Sequence, residues 1–424
     1  RWWRRRRRGR RLVMRIALFT DIYLDIPGGI PSSIKAQKSA LQKLGHQVTI
    51  FCPGDQTNNT GKDLYIVPTH RLLRPNQAPL AKRPKKILHS IKKEYPVFSD
   101  YFDLVHVHYE ASCSIAGVKL AKEHKLKLIQ TMHGREDIAI NTNLPASTKY
   151  LVAKLLNTMH SISLGRLSSK TERLPKKDSF LIKNSVCQNM WQLMVRQANL
   201  ADAVISPSAH FAKNLKQYGV KKPIHVISNG VDDSYLQNLS FSVRLFKPNE
   251  HLCIIWSSRL SKEKRILPFL QSVANSKHKD RIDLTIIGDG NQMQEAKNFA
   301  KSHLQSSQIK FLGTVPHEQI FNFMQNQHIS VINSYGFDTQ GMTILEAVAC
   351  GLPILYADPA MDEVVPEHGG LRSSNDSVTA MTDTIDQLFA HPALIEEMSK
   401  NAIKAKDSVL QSTQISKLLE LYLK

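Results

Sequence analysis

The feature that most constrains the fold of this chain is a regular alternation of short apolar runs with helical segments. After Met14, the apolar run Ile16–Thr20 predicts a strand, and Ser32 or Ser33 is expected to cap a helix that runs to about Leu44. A glycine ends that helix, and another apolar run follows it. Strands of this apolar kind are buried on both faces, so the pattern predicts a parallel sheet with helices on either side.

The alternation occurs twice, which indicates two domains. A chain of 424 residues is too long for one hydrophobic core of ordinary size. We therefore predict an α/β protein with two doubly wound, Rossmann-like domains that face each other across a cleft. The predicted strands of the second unit are Leu252–Trp256, Leu284–Ile287, Lys310–Leu312, Ile329–Ile332 and Pro353–Tyr356.

The domain limits follow from changes in composition along the chain. Residues 1–13 hold eight arginines and are interpreted as a disordered basic extension. Residues 14–227 form the predicted N-terminal domain, and residues 228–395 form the C-terminal domain. Within the first domain, residues 158–185 are rich in Ser, Lys and Arg, and we predict a mobile insertion there. Residues 396–424 are predicted to be helical.

The net charge and the cysteines narrow the possible partners and compartments. The formal net charge is +21, and +13 remains without the eight arginines of residues 1–13. Such a charge suits an anionic membrane surface, nucleic acid or phosphorylated ligands, and a generally cationic surface is the alternative. The five cysteines are scattered and most lie in or beside apolar runs, which favours reduced thiols and a cytosolic location.

A basic and apolar stretch over residues 71–93 indicates a possible membrane surface. From Lys85 onward, it has the pattern of a basic amphipathic helix, and such helices lie on anionic membranes. The alternative is a solvated helix whose apolar stripe packs on the core. No apolar run in the sequence approaches the ~18–20 residues that span a bilayer, so peripheral attachment is the expected mode.

Residues 335–351 combine two carboxylates with the start of a predicted helix. Asp338 and Glu346 flank the short turn Gln340–Thr343, which opens that helix. The first N–H groups of a helix lack intrahelical acceptors and can hold a phosphate. A phosphate cradle between two carboxylates suggests a nucleotide-sugar site.

Other unusual residues follow the predicted strands at their carboxyl ends, where ligands bind in open parallel sheets. Gly28 and Gly29 follow the first strand and leave the backbone open to close ligand approach. His133 follows the strand Leu126–Thr131. A lone histidine is more often structural, but a strand-end position favours a functional one.

The second domain has a similar set of residues. Arg259 and Lys264 follow its first strand, where two cations can clamp a diphosphate and stabilise charge on a leaving phosphate. An ordinary basic loop is the alternative for these two residues. Gly288 and Asp289 follow the next strand, in a turn with room for a base or a ribose. Together, the strand-end residues of both domains predict one site around a cleft.

These motifs resemble those of the GT-B glycosyltransferases of family 4. The resemblance covers roughly residues 14–140 and 195–400. In the family's usual Glu-x7-Glu motif, Asp338 takes the place of the first glutamate. The matching motifs are the glycine loop at 27–29, DLVHVH at 103–108, QTMHG at 130–134, SNGVD at 228–232, SRLSKEK at 258–264, IGDG at 287–290 and FLGTV at 311–315.

The resemblance implies a role for each matching residue. Arg259 and Lys264 would bind the donor diphosphate and the charge on the leaving nucleotide. Glu346 would accept hydrogen bonds from the ribose. Asp338 would face the donor sugar, and His133 would contact that sugar near the reacting carbon. The other implied donor-binding residues, most of which would act through backbone groups, are Gly28, Gly29, Ser258, Gly288, Asp289, Val315, Gly341, Met342 and Thr343.

The resemblance also implies a reaction and an acceptor class. The family retains anomeric configuration and needs no metal or other cofactor. Glu136 and Asp137, just after His133, are similar to the subgroup that glycosylates diacylglycerol lipids, although Ile138 stands where that subgroup has an aromatic residue. We expect transfer of a hexose from a nucleotide sugar such as UDP-glucose to a membrane lipid or cell-envelope glycan. The protein would be cytoplasmic, at the inner face of the membrane, with residues 396–424 crossing back to the first domain.

Two alternatives stay open. A nucleotide-sugar epimerase of the same fold would need further acid and base groups around the sugar, and the sequence does not single them out. A nucleic-acid-binding protein would fit the positive charge. However, much of that charge lies in residues 1–13, and aromatic residues make up only 7% of the chain. We therefore expect no nucleic-acid partner.

Overall fold

The structure, a computed structural model, describes residues 13–26, 28–55, 63–70, 72, 74, 78–168, 174, 182–237, 239–305 and 308–424. These residues form two α/β units, each built on a parallel sheet. The prediction of two doubly wound, Rossmann-like domains is confirmed.

The first sheet contains a switch in strand order. Its strands run parallel, and β1 lies between β2 and β4 in the order β3-β2-β1-β4-β5-β6-β7. The loops after β1 and β4 therefore leave the sheet in opposite directions, and they flank the crevice where such sheets bind ligands. The strands are β1 (Arg15–Phe19), β2 (Gln47–Cys52), β3 (Leu64–Ile66), β4 (Leu104–Val107), β5 (Lys127–Thr131), β6 (Ala203–Ser206) and β7 (Ile224–Val226).

The first helix begins earlier than the sequence predicts. Gly28 occupies the N-cap position with an extended backbone, and Ser32 and Ser33 lie inside the helix, so the expected serine cap is wrong. Pro31 falls in the first turn, where its missing N–H costs no hydrogen bond. The helices of the first half are α1 (Gly29–Lys43), α2 (Pro84–Glu94), α3 (Phe98–Tyr101), α4 (Ser112–Glu123), α5 (Glu136–Asn143), α6 (Lys149–Leu164), α7 (Ser185–Ala198) and α8 (Ala209–Tyr218).

Helix α2 decides between the two interpretations of residues 71–93. Ile87 and Ile91 are fully buried in the core of the first domain, so the apolar stripe of α2 packs inward. The interpretation of α2 as a helix that buries this stripe in a membrane is therefore wrong. Residues 71, 73 and 75–77 of the stretch lie outside the described residues.

Residues 158–185 are in part helical, contrary to the prediction of a mobile insertion. Helix α6 continues to Leu164, and α7 begins at Ser185. Helix α6 packs against α7 through a buried face that includes Asn157 and His160. The polar residues on this buried face give the segment a mixed composition, which explains the prediction of an insertion. Residues 169–173 and 175–181 lie outside the described residues.

The second sheet has one strand more than the sequence predicts. The short strand β13 joins its edge, and the parallel order is β10-β9-β8-β11-β12-β13. Three residues that include a glycine carry little strand signal, which explains the omission. The strands are β8 (Leu252–Ser257), β9 (Ile282–Ile287), β10 (Ile309–Gly313), β11 (Ile329–Ile332), β12 (Ile354–Tyr356) and β13 (Gly370–Arg372).

The last helix of the chain packs on the first domain. Ile415, Leu418 and Tyr422 share a buried cluster with Ile16 and Ile34. Among the described helices, none is long and apolar enough to cross a membrane. The helices of the second half are α9 (Ile266–Asn275), α10 (Met293–His303), α11 (His317–Gln325), α12 (Met342–Ala349), α13 (Val378–Ala390), α14 (Ala393–Ala405) and α15 (Gln411–Leu423).

Candidate functional site

Helix α12 presents its N-terminus to the first domain. Gly341 occupies the N-cap position with a left-handed φ of 74°, which favours glycine. A side chain on Gly29 would meet Met342 Cγ at 2.9 Å, so the starts of α1 and α12 lie against each other. Thr343 Oγ1 donates to the Ser257 carbonyl at 2.8 Å and ties the first turn of α12 to the end of β8. The N–H groups of this turn therefore point toward the junction of the domains, where an anion is favoured.

A buried ion pair lies beside this helix start. Lys264 Nζ is 2.6 Å from Asp338 Oδ1, and the two side chains are only 16% and 11% exposed. Ser334 Oγ also donates to Asp338, and Lys264 Nζ lies 5.2 Å from the centre of the Phe337 ring. Burial alone would raise the pKa of Asp338, but attraction and hydrogen bonds from Lys264 and Ser334 hold that pKa below its usual value. The carboxylate of Asp338 thus stays charged.

Arg259 lies between the two domains and remains accessible. Its side chain is 59% exposed, and one guanidinium nitrogen is 3.4 Å from Glu263 Oε1. Burial raises the pKa of Glu136 in the first domain, and the positive charge of Arg259 opposes that rise. The same charge helps to stabilise the carboxylate of Asp338 in the second domain. The structure therefore brings both predicted cations to one place, with Lys264 paired and Arg259 more open.

Glu346 has a partner that the sequence does not reveal. Glu346 Oε1 accepts a hydrogen bond from His317 Nε2 at 2.7 Å, and His317 Nδ1 lies 3.4 Å from Ser32 Oγ of the first domain. Burial opposes charge on His317, but attraction and hydrogen bonding to Glu346 raise the pKa of His317 above its ordinary value. His317 thus connects the predicted ribose acceptor with α1. Its one sequence signal is its position at the start of α11, two residues after Val315.

His133 belongs to a row of three histidines. His133 Nε2 lies 2.9 Å from His108 Nδ1, and the ring centres of His108 and His106 are 4.1 Å apart. Burial lowers the pKa of His133 to about 4 and that of His106 to about 3, so both rings are neutral near pH 7. A neutral imidazole donates through one nitrogen and accepts through the other. Because one nitrogen of this contact must donate and the other accept, the proton positions of His108 and His133 are coupled.

Helix α15 closes a small polar cavity behind these histidines. His106 Nδ1 lies 2.7 Å from Tyr422 Oη of α15, and Gln411 and Gln414 of the same helix line the cavity. Within the part of the chain that the structure describes, His108 Nε2 and Gln37 Oε1 line this cavity without a hydrogen-bond partner. Buried polar atoms of this kind are commonly satisfied by an ordered water.

One hydrogen bond joins the two halves of the site directly. Thr339 Oγ1, in the second domain, donates to the backbone carbonyl of His133 at 2.7 Å. Because Thr339 directly follows Asp338, this bond holds the ion pair with Lys264 close to the histidine row. The residues predicted at separate strand ends therefore meet at one place in the cleft.

The remaining predicted residues have mainly backbone contacts. Gly288 has a φ of 126°, and a Cβ there would come within 2.1 Å of the Ser258 carbonyl oxygen. The neighbouring loop occupies the position of a Cβ at Gly288, so only glycine fits there, and the room expected for a base or ribose stays a prediction. The Asp289 carboxylate accepts from the next backbone N–H, and Val315 packs partly buried on the α12 side of the sheet. Their donor-binding roles stay predictions, as does that of Gly28.

An acidic cluster on the first domain is absent from the predicted site residues. Burial raises the pKa of Glu110 to about 8, and repulsion from Glu136 and Asp21 adds to this rise. Gln130 Nε2 donates to Glu110 Oε1 at 2.9 Å. Asp21 accepts backbone N–H groups at the start of α4, so its role is at least partly structural. The sequence did contain an indication of this cluster, because Asp21 and Glu110 follow β1 and β4 at the switch in strand order.

Among the described residues, no three His, Cys, Asp or Glu side chains are grouped to hold a metal ion. The positive charge near the α12 N-terminus comes from Lys264 and Arg259 instead. Independence from a metal remains a prediction.

The two parallel sheets, with a helix start and two cations in the cleft between them, indicate a class of protein. The chain is a glycosyltransferase with the GT-B fold. Residues 27–235 match the family described as Glycosyltransferase Family 4, and residues 240–405 match Glycosyl transferases group 1. The protein belongs to the family-4 glycosyltransferases, which confirms the resemblance seen in the motifs.

Individual relatives are similar over most of their length. An alpha-monoglucosyldiacylglycerol synthase of Streptococcus pneumoniae is 25% identical over 367 residues, which are 84% of this chain and 74% of that protein. A protein with the same name from Acholeplasma laidlawii is 24% identical over 407 residues, 92% of each chain. The crystal structure of Anabaena HepE in complex with UDP-glucose superposes with a TM-score of 0.64 at 15% identity, and the match covers 96% of this chain and 99% of that one.

Proposed function

We propose that this protein is a retaining glycosyltransferase that moves a hexose from a UDP-linked donor to a diacylglycerol-type membrane lipid. UDP-glucose is the first candidate donor. The observation that carries the proposal is the bond from Thr339 to His133, because it holds the ion pair of the second domain beside the histidine row of the first. Similarity to two alpha-monoglucosyldiacylglycerol synthases supports the lipid acceptor. The UDP-glucose complex of a protein with the same fold supports the donor.

On the donor side, the proposed roles follow from charge. The N–H groups at the start of α12 and the side chains of Arg259 and Lys264 would hold the diphosphate. Asp338 keeps Lys264 fixed in place until the donor phosphate competes for it. Glu346 would turn its second carboxylate oxygen to the ribose, since His317 already donates to Oε1.

The proposed transfer breaks the bond between the anomeric carbon and the phosphate oxygen, and it forms a bond from that carbon to the acceptor hydroxyl oxygen on the same face. The acceptor proton passes to the leaving phosphate oxygen, so no protein base is needed. Lys264 and Arg259 would stabilise the negative charge that develops on the UDP, which is the largest electrostatic change in the reaction. Neutral His133 can hydrogen-bond to the sugar hydroxyls without adding a charge near the reacting carbon.

On the acceptor side, the acidic cluster of the first domain is the proposed contact for the lipid hydroxyl. With a pKa of about 8, Glu110 is protonated near pH 7 and can donate a hydrogen bond to an acceptor oxygen. Such an acceptor would reach the cleft from a membrane surface. We therefore propose a peripheral protein at the inner face of the cytoplasmic membrane.

The test is a transfer assay with UDP-glucose and vesicles that contain diacylglycerol. We expect a monoglucosylated lipid by mass spectrometry and an α-anomeric proton by NMR, with equal activity in the presence of a chelator. GDP-glucose and ADP-glucose in parallel reactions define the nucleotide. A changed sugar configuration without any lipid product would instead favour the epimerase. Failure to bind or turn over any nucleotide sugar would overturn the proposal.

A further inference from the structure

Helix α6 carries a row of apolar side chains that face away from the protein. Leu151, Leu155, Met159 and Ile162 are spaced by four, four and three residues, which places them on one face of a helix. Their exposed fractions lie between 44% for Met159 and 73% for Ile162. Tyr150 and Leu156 border the row and are also exposed.

Helix α6 exposes more large apolar side chains than it buries. Its inward face is mixed. Ala153 and Leu164 join the hydrophobic core of the first domain. Between them, Asn157 bonds to Asn189 and Gln192 of α7, and His160 contacts Gln197. A helix that packs on a core normally turns its apolar stripe inward. Here the large apolar side chains lie on the outer face, so the outward row requires another explanation. A contiguous exposed apolar face of this kind marks an interaction surface.

The charged residues around this apolar row indicate which kind of partner it binds. From residue 138 to residue 171, the sequence contains no Asp or Glu. Lys149, Lys154 and Arg166 lie in or directly after α6, and the chain from Met14 onward carries a net charge of +13. A second copy of the chain would bring like charges together across the same face. An anionic bilayer fits both properties, since its headgroups attract the cations and its acyl boundary accepts the leucines.

The position of α6 is suitable for a lipid acceptor. Helix α5 starts three residues after His133, packs against the turn at 262–264 that holds Lys264, and leads directly into α6. Helix α6 also packs against α5 and α7. Helix α6 therefore lies on the first domain and is joined to a helix that packs against the second domain at the cleft.

We propose that the outer face of α6 is the surface by which this protein docks on an anionic lipid bilayer. The proposal rests on the proposed lipid acceptor, and it assigns the membrane contact to α6 instead of α2, whose apolar stripe is buried. Leu151, Leu155 and Ile162 enter the acyl boundary, while Lys149 and Lys154 meet the phosphate groups.

The test measures sedimentation of the full chain with vesicles of phosphatidylcholine, alone or with phosphatidylglycerol, in the absence of a sugar donor. The triple variant Leu151→Gln, Leu155→Gln and Ile162→Gln should bind mixed vesicles at least about tenfold more weakly than the wild type. Because these side chains are exposed and Gln is a good helix former, circular dichroism and melting should not change. Residues 1–13 are the same in every variant, so any contribution they make to vesicle binding is equal in all of them.

Matched variants complete the design. Exposed leucines elsewhere, replaced in the variant Leu44→Gln, Leu245→Gln and Leu423→Gln, should leave vesicle binding within about twofold of the wild type. Lys149→Gln with Lys154→Gln should weaken binding to the anionic vesicles only, and the loss should shrink at about 0.5 M salt.

Three outcomes would overturn the proposal. In the first, the triple α6 variant binds vesicles as the wild type does. In the second, charge removal on α2, by Lys85→Gln, Lys86→Gln and Lys93→Gln, abolishes binding while the α6 variants keep it. In the third, the wild type is a dimer that the triple variant dissociates with no change in vesicle binding. Vesicle binding without glucosylated lipid would refute the proposed acceptor but leave the docking surface intact.

Discussion

Replacing Lys264 by methionine is expected to destabilise the second domain as well as to abolish transfer. The variant removes the cation 2.6 Å from Asp338 and leaves a carboxylate that is only 11% exposed. Loss of one partner from a buried ion pair costs about 3–5 kcal/mol of unfolding free energy. Asp338 keeps the hydrogen bond from Ser334 and the nearby charge of Arg259, so we expect the lower end, about 3 kcal/mol.

The loss of unfolding free energy in Lys264→Met should depend on pH, and the lowered pKa of Asp338 gives the direction. The pKa of Asp338 is lowered in the folded protein, so its pairing stabilises the fold above the unfolded pKa of about 4 and ceases to do so as the pH falls through the folded pKa. The difference between the wild type and Lys264→Met should therefore be largest near neutral pH and should shrink below about pH 4. Thermal unfolding is the assay, and about 3 kcal/mol corresponds to roughly 6–12 °C for a domain of this size.

Two control variants distinguish the effect of losing the ion pair from the effect of losing a positive charge alone. Lys262→Met removes the same charge from the same turn, but Lys262 is exposed, so its melting temperature should stay within about 2 °C of the wild type. The double variant Lys264→Met, Asp338→Asn should recover part of the stability, because no uncompensated carboxylate remains. Equal melting temperatures for Lys264→Met and Lys262→Met would refute the reasoning, and normal transfer by Lys264→Met would remove it from the proposed donor site.

Three further predictions concern other parts of the site. Glu346→Gln should weaken UDP binding roughly 10- to 100-fold in calorimetry, the loss expected for hydrogen bonds to a charged group, while the exposed Glu318→Gln should stay near the wild type; equal affinities for both variants would exclude ribose contact. His108→Phe should lower kcat with little change in UDP affinity, because it removes the hydrogen-bond partner of His133, and an unchanged kcat would show that this contact is structural only. Because the folded protein holds the proton of Glu110 up to a pKa of about 8, wild-type stability should fall as the pH rises from about 4.3 to 8, and Glu110→Gln should flatten that slope in calorimetric melts. Parallel pH profiles of stability for the wild type and Glu110→Gln would contradict the raised pKa of Glu110.

The strands and most helices of both sheets could be predicted because their signals are local. An apolar run such as Ile329–Ile332 is buried in any parallel sheet, whatever its neighbours, and the structure has the same bounds. The predictions of secondary structure fail where the local sequence pattern is weak. The three-residue β13 is too short for a periodic pattern, and polar residues interrupt the buried face of α6.

The candidate site was predictable in its residue types but not in its pairings. Strand-end positions indicated Arg259, Lys264 and His133, since the carboxyl ends of parallel strands meet at one edge of a sheet. The partner of Glu346 could not be identified in this way, because His317 lies 29 residues away and no local pattern links the two. Nor could the sequence show that Thr339 would bond to His133 across 206 residues.

The sequence by itself determined that this chain forms two parallel α/β domains with cations, carboxylates and a helix start at the strand ends. Alternating burial and backbone hydrogen bonding depend on residues that are close together in the chain, so they can be predicted from short stretches of sequence. Only the tertiary structure decided which charges neutralise each other and which way an amphipathic helix faces. Helices α2 and α6 show the reason: each has an apolar and a polar face, and the elements packed against each helix decide which face meets solvent.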